Sequence, residues 1–271
     1  MNPPGLSLLT FNIGNPSAER AQRQLAWLAD RDEQVLVLTE TKASAGCRLL
    51  ADAFAGTGHT VCFPQPGPGE YGTMIVARVA ATPDPFSDAI GYLAARAAAL
   101  TLFAPDGPLR VIGLYVPSRD ASLGKTERKR RWLACCDTAL ASTAGQPTLL
   151  LGDLNILEPG HQPRYPFFAP FEYDFYQTLV GTHGLTDAFR DLHPDAAEYS
   201  WIGRTGDGYR YDHAFCSRQL AGRVTACQYV HQPRLDKLSD HSALTMRLDL
   251  AAPQPLAVGD PTAAQEPGTL F

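Results

Sequence analysis

The sequence has no excess of positive charge. Its 23 lysines and arginines are outweighed by 28 aspartates and glutamates, for a net charge of −5. A basic field over the whole surface is therefore excluded, and any binding to nucleic acid has to rest on a local patch. No run approaches the roughly 20 apolar residues that a membrane-spanning helix needs, so no membrane partner is expected. The opening residues Met1–Gly5 lack the basic region of a signal peptide, and Leu6–Phe11 is short for its apolar core. A cytoplasmic location is the expectation. Cysteine is sparse: six residues, none in Cys-x-x-Cys spacing. Cys135 and Cys136 are adjacent and the others sit among apolar neighbours, which predicts free buried thiols in a reducing compartment rather than a metal site or disulfides.

What is present is enough apolar sequence for a substantial core, 45% hydrophobic against 19% charged residues. Eight short apolar runs read as strands: Leu6–Phe11, Val35–Leu38, Thr73–Ala77, Ala98–Phe103, Arg110–Leu114, Thr148–Leu151, Tyr211–Cys216 and Ala243–Leu250. Most are continuous rather than alternating, as expected where both faces of a sheet are covered. Helical spacing links Ala21, Leu25 and Leu28 behind a Ser17 cap, then Leu49, Leu50 and Ala53, then Trp132, Leu133, Cys136, Ala139 and Leu140. Strands outnumber helices, and several suit loop or hairpin connections. Two mixed sheets packed face to face with helices outside fit this pattern better than one doubly wound sheet. A single catalytic domain over 1–250 is expected. Residues 251–271, rich in Pro, Ala and Gly, read as a flexible tail.

Polar residues stand at the strand ends. Thr148-Leu-Leu-Leu151 runs into Gly152, Asp153, Leu154 and Asn155. Asn12 follows one strand, Glu40 another and Tyr115 a third. Asp212 opens a strand, and Asp240 and His241 precede the last. Each has an ordinary explanation. Gly, Asp and Asn form turns. Glu40 and Lys42 suit a surface pair, and Tyr115 and His241 suit hydrogen-bonded core positions. Jointly they place groups that bind metal or transfer protons at the end of strand after strand, where α/β sheets gather ligands.

These segments, in order, are Thr10-Phe-Asn-Ile13, Thr39-Glu-Thr-Lys42, Tyr115-Val-Pro117, Gly152-Asp-Leu-Asn155, Arg210-Tyr-Asp212 and Ser239-Asp-His241. With Glu127 to Trp132 and the stretch from His183 to Phe189, they resemble the exonuclease III / apurinic-apyrimidinic endonuclease branch of the endonuclease–exonuclease–phosphatase family over residues 6–250. The resemblance implies a four-layer α/β sandwich and a metal-dependent DNA phosphodiesterase: an abasic-site endonuclease with 3′-exonuclease or 3′-phosphatase capacity, serving DNA repair. It implies Glu40 as the main ligand of Mg²⁺ or Mn²⁺, with Asp240 and Asn12 in or near its shell. It pairs His241 with Asp212, gives water activation or leaving-group protonation to Asp153, and gives phosphate contacts to Asn155 and Tyr115.

The chain departs from the family around the cleft. Gly14 stands where a second oxygen ligand is usual, which favours one ion over two. Thr39 replaces a glutamine, Ser118-Arg119 an Asn-Gly or Asn-Ala pair, and His213 an aromatic residue. The segment Arg119–Arg131, with Lys125 and Arg128, is expected to offer a local phosphate-contacting surface, with Arg210 a further contact. Trp201 and Tyr199 match a pocket for an extrahelical abasic sugar, although core packing explains them equally. Gln265–Phe271 resembles peptides that dock on the sliding clamp. The protein is expected to be a monomer. The same chemistry on RNA, nucleotides or another phosphoester is the alternative, ahead of a non-catalytic binding protein, against which the complete polar set argues.

Overall fold

The structure, a computed structural model, describes residues 5–142 and 145–263, so the expected clamp-docking segment Gln265–Phe271 lies outside the described residues. The apolar runs become strands buried on both faces. In β1 (Gly5–Asn12), Leu6 and Leu8 enter one apolar cluster, while Leu9 and Phe11 enter another. Side chains alternate along a strand, so a sequence buried on both sides reads as continuous.

One six-stranded sheet has the order β13 (Val224–Val230), β14 (Ala243–Ala251), β1, β2 (Val35–Thr41), β4 (Gly72–Ala77), β3 (Thr60–Cys62). The other runs β5 (Ala81–Pro83), β6 (Ala97–Ala104), β7 (Gly107–Tyr115), β8 (Thr148–Asp153), β12 (Asp212–Ser217), β9 (Leu185–Asp187). β10 (Trp201–Ile202) and β11 (Gly208–Tyr209) form a small separate hairpin. Each large sheet has one parallel pair at its centre, β1–β2 in the first and β7–β8 in the second.

The inner faces meet through Leu8, Val37 and Ile75 from one sheet and Val111, Leu149 and Leu151 from the other. Outside the first sheet lie α1 (Ala18–Ala29) and α2 (Ala45–Gly56), through Leu25, Leu28, Leu50 and Phe54. Outside the second lie α3 (Phe86–Ile90), α4 (Leu123–Ala141) and α5 (Pro170–Gly181), through Trp132, Cys136, Phe175 and Leu179. Each large apolar side chain fully buried in these layers contributes about 1.5–3 kcal/mol. The result is the helix–sheet–sheet–helix order expected. Ser17 caps α1, its hydroxyl accepting from the Arg20 N–H at 3.2 Å.

One expectation is corrected. Residues 252–263, expected to be flexible, lie along the edge of the molecule. Ala80 donates its N–H to the Gln254 carbonyl at 2.8 Å, Leu256 to Arg78 at 2.9 Å, and Gly259 to Thr57 at 2.8 Å. Proline and glycine excluded regular structure there, not backbone pairing. All six cysteines are free. Among the described residues, no helix is long and apolar enough to cross a membrane.

Candidate active site

Strand phase decides which side chains reach the seam between the sheets. Asp153 has the phase of Leu149 and Leu151, Tyr115 that of Val111, and Asp212 that of Ala214 and Cys216; all these apolar partners face the seam. In the opposing sheet Asn12 shares the phase of Leu6 and Leu8. Cross-strand register then aligns Tyr115 with Asp153 and Asp153 with Asp212. A row of three polar side chains therefore caps one inner face, at the carboxyl end of the β7–β8 pair. The carboxyl end of the β1–β2 pair stands opposite, with Asn12 and Glu40.

Local backbone devices complete the aim. Glu40 would fall out of phase, but the register of β2 against β4 shifts between Thr39 and Thr41, and Glu40 itself takes φ 58°. A bulge of this kind re-aims a side chain, and a non-glycine residue held there stores about 1–3 kcal/mol of strain. Gly152 has φ 150°, and a Cβ on it would meet the Leu114 carbonyl oxygen at 1.9 Å; only glycine lets β8 run that close to β7. Asn155 is left-handed at φ 48°, a conformation asparagine tolerates.

The side chains so placed are joined. Asn12 Nδ2 donates to Glu40 Oε2 at 2.9 Å and to Asp153 Oδ2 at 2.8 Å. Asp153 Oδ1 accepts from the Asn155 N–H at 2.9 Å. His241 Nδ1 lies 2.7 Å from Asp212 Oδ2, and its Nε2 stands 4.0 Å from Asp153 Oδ2. Ser200 Oγ fixes the Asp212 backbone by accepting its N–H at 3.1 Å. Burial and then the Asp212 charge push the Asp153 carboxyl up to about 7. Burial disfavours the His241 cation, yet Asp212 overrides it and raises the imidazole to about 10. Burial, with Glu40 and Asp153, holds Tyr115 well above the usual phenol range. At neutral pH the site thus offers a protonated imidazole, a neutral phenol donor and a carboxyl poised between its two forms.

The donor chemistry fits a hard divalent cation. Three carboxylates, Glu40, Asp153 and Asp212, converge against the single imidazolium of His241. Asp212 Oδ1 is buried with no hydrogen-bond partner. Ligand atoms of Asp153, Asp212 and His241 lie within 4.8 Å of one another. This set differs from the expected Glu40, Asp240 and Asn12. The 2.7 Å contact between His241 and Asp212 is a hydrogen-bond length and already occupies Nδ1. Asn12 Oδ1 accepts from the Gly14 N–H at 2.9 Å, so here Asn12 bridges two carboxylates as a donor rather than presenting an oxygen. Asp240 is exposed and accepts from Trp201 Nε1 at 2.9 Å.

The substrate-contact expectations are corrected more sharply. Arg210 is fully buried and pairs with Glu158 and, at 2.6 Å, with Asp187. It cannot touch a substrate. Burial opposes the Asp187 charge, but Arg210 and His213 hold its carboxyl well below the usual range. Arg210→Met is expected to destabilise the fold by about 3–5 kcal/mol, because it leaves two buried carboxylates short of a partner; urea unfolding with an unchanged midpoint would refute this. Arg119 turns inward to Glu172 at 2.6 Å and to the Phe167 carbonyl, Lys125 pairs with Asp120 at 2.8 Å, and Arg128 pairs with Glu70. Glu172 and Glu70 meet Arg119 and Arg128 from distant segments that the sequence does not connect to them, whereas Asp120 is close in sequence to Lys125 and that pair stays exposed. Trp201 and Tyr199 do lie in an aromatic group. Trp201 is 5.3 Å from Tyr209 and 6.0 Å from Tyr211, and Tyr211 is 6.5 Å from His241, while Tyr199 donates its hydroxyl to the Gln162 carbonyl at 2.9 Å.

Several residues at the rim went unforecast. Tyr71 meets the Tyr115 ring edge-on at 5.7 Å, Lys42 Nζ sits 4.0 Å over Tyr71, and the Arg96 guanidinium lies 4.9 Å over Tyr115. A signal existed: Tyr71 and Arg96 immediately precede β4 and β6, each antiparallel to a strand whose end carries a site residue. The start of such a neighbour lies at the same rim.

Solved structures that share this fold include the following three. The 3′ phosphatase NExo from Neisseria, bound to a product DNA hairpin, is 24% identical with a TM-score of 0.73, covering 90% of this chain and 99% of its own. An AP endonuclease from Archaeoglobus fulgidus is 23% identical with a TM-score of 0.74, covering 90% and 100%. The 3′-5′ exonuclease NExo from Neisseria meningitidis is 25% identical, also at 0.74, covering 90% and 100%. The model of the Endonuclease/Exonuclease/phosphatase family matches residues 9–241, a span that holds every strand of both sheets except β14 and the first half of β1. The chain therefore belongs to the endonuclease/exonuclease/phosphatase family and is a phosphoesterase of that family.

Proposed function

We propose that the protein is a Mg²⁺-dependent DNA phosphodiesterase that cuts at abasic sites and trims recessed or phosphate-blocked 3′ ends. The observation that carries the chemistry is the in-register row Tyr115–Asp153–Asp212, with His241 on one side and Asn12–Glu40 on the other. One Mg²⁺, held by Glu40 with help from the neighbouring carboxylates, would neutralise phosphate charge and polarise the ester. Asp153, poised near neutrality, takes the proton of the attacking water or returns one to the leaving oxygen. His241, kept charged by Asp212, and Tyr115, kept neutral, donate to the phosphoryl oxygens as charge builds, joined by the Asn155 amide. DNA as substrate is supported by the likeness to the hairpin-bound 3′ phosphatase and by the ring group Trp201–Tyr209–Tyr211 beside His241, which suits an unstacked nucleotide.

A second reading has an observation of its own. Pairing of Arg119 and Arg128 with Glu172 and Glu70 thins the expected phosphate-contacting stripe to the exposed Lys125, Arg130 and Arg131. That favours a shorter substrate, a nucleotide or a small phosphodiester. The two separate in one experiment with Mg²⁺: duplexes carrying an abasic site, a recessed 3′ end or a 3′-phosphate, beside RNA and mononucleotides. Incision or trimming of the DNA is the expected result, and turnover of mononucleotides alone would overturn it.

A further inference from the structure

Lys129 is a charged side chain with no route to solvent, on the inner side of α4. It is 1% exposed, and its Nζ lies 2.6 Å from the Asn155 carbonyl and 2.6 Å from Glu172 Oε1. Glu172, on α5, is equally buried. Its Oε2 accepts from Arg119 Nη2 at 2.6 Å and from the Ala169 N–H at 2.9 Å. Burying such a set is expensive, and apolar side chains of similar volume often serve stability as well or better. The residues it grips differ from ordinary core. Asn155 is the left-handed residue whose N–H holds Asp153 Oδ1, and Arg119 ends the segment that begins at Tyr115. Val116, in that segment, donates to the Asp153 carbonyl at 3.0 Å and accepts from Asn155 Nδ2 at 3.1 Å. One buried carboxylate therefore ties the strand-end loops after Tyr115 and Asp153 to each other.

We propose that Lys129, held by Glu172, is a positioning residue: it clamps the Asn155 carbonyl, fixes the left-handed turn, and so sets the Asp153 carboxyl and the Asn155 amide on the scissile phosphate. The activity part of this rests on the phosphodiesterase reading above. The clamp has its own readout. Lys129→Met leaves Glu172 with Arg119 as its only cation, so it is paired with Lys129→Met/Glu172→Gln, which removes the stranded charge as well. In the full-length protein the backbone amide resonance of Asn155, shifted by its bond to Asp153, is expected to move toward its random-coil position in both variants and to return in Lys129→Arg. With Mg²⁺ and the DNA that the wild type cleaves, or a nitrophenyl phosphodiester if it cleaves none, the double variant is expected to lose about 10–100-fold in kcat with KM nearly unchanged, the size of effect a misplacement near 1 Å produces. Its thermal midpoint should return toward wild type while kcat does not. An unmoved Asn155 resonance, or a double variant with wild-type kcat, overturns the proposal. A wild type inactive on every phosphodiester would count against the functional reading, and the amide resonance would still decide the clamp.

Discussion

Replacing Asp153 with Asn is expected to lower kcat by about 10²–10⁴-fold, the range that a lost general acid or base produces. Asp153 is buried on the inner face of the second sheet, within 4.0 Å of His241 Nε2 and bonded through Asn12 to the Glu40 side. The fold should survive. The amide loses one acceptor, since both Asp153 oxygens receive N–H groups, worth about 1 kcal/mol. It also removes a buried negative charge facing Asp212. The pH dependence has a definite sign. The Asp153 carboxyl is raised from its ordinary value to about 7 by burial and by Asp212. Between about pH 4 and pH 7 the folded wild type therefore holds a proton that the unfolded chain releases, and its stability declines across that window. Asp153→Asn lacks this loss. In metal-free buffer, its thermal midpoint relative to wild type should climb from pH 4 to pH 7 and level off above. A difference that is flat with pH, or near-normal cleavage by the variant, would contradict the assignment.

Glu40→Gln should have an effect of similar size by another route. The carboxylate sits on a bulge at φ 58°, a strained position that a surface ion pair with Lys42 would not require. Lys42 instead lies over Tyr71. The variant keeps the shape and the approach of Asn12 but removes the charge. It is expected to lose Mg²⁺-stimulated cleavage by several orders of magnitude and to lose the rise in thermal midpoint that Mg²⁺ gives the wild type by binding the folded state. Glu40→Gly should be as inactive yet no less stable, because glycine relieves the left-handed strain. Retention of Mg²⁺-induced stabilisation by Glu40→Gln would move the metal to Asp153, Asp212 and His241.

The eight apolar runs all became strands, and the site side chains stood at their ends, because burial on both faces leaves a strong local signal and strand phase carries it forward to Asp153, Tyr115 and Asp212. What escaped depended on contacts between distant segments. β13 was missed because it lies at a sheet edge with only Cys227 buried, and Thr225 and Gln228 interrupt its apolar run. Arg119, Arg128 and Arg210 looked like free cations because Glu172, Glu70, Glu158 and Asp187 reach them only in the folded chain; Lys125 has its partner Asp120 nearby in sequence and stays exposed. Tyr71 and Arg96 stand at strand starts rather than strand ends, immediately before β4 and β6. In an antiparallel neighbour the rim residue comes first.

The most direct test is cleavage in ¹⁸O-labelled water of a duplex carrying an abasic site and a recessed 3′ end, with Mg²⁺ and with EDTA, by the wild type and by Asp153→Asn. Mg²⁺-dependent products carrying one ¹⁸O on the new phosphate, formed by the wild type and nearly absent with EDTA or the variant, are the predicted result. Cleavage that persists in EDTA, or that Asp153→Asn performs at the wild-type rate, would contradict it.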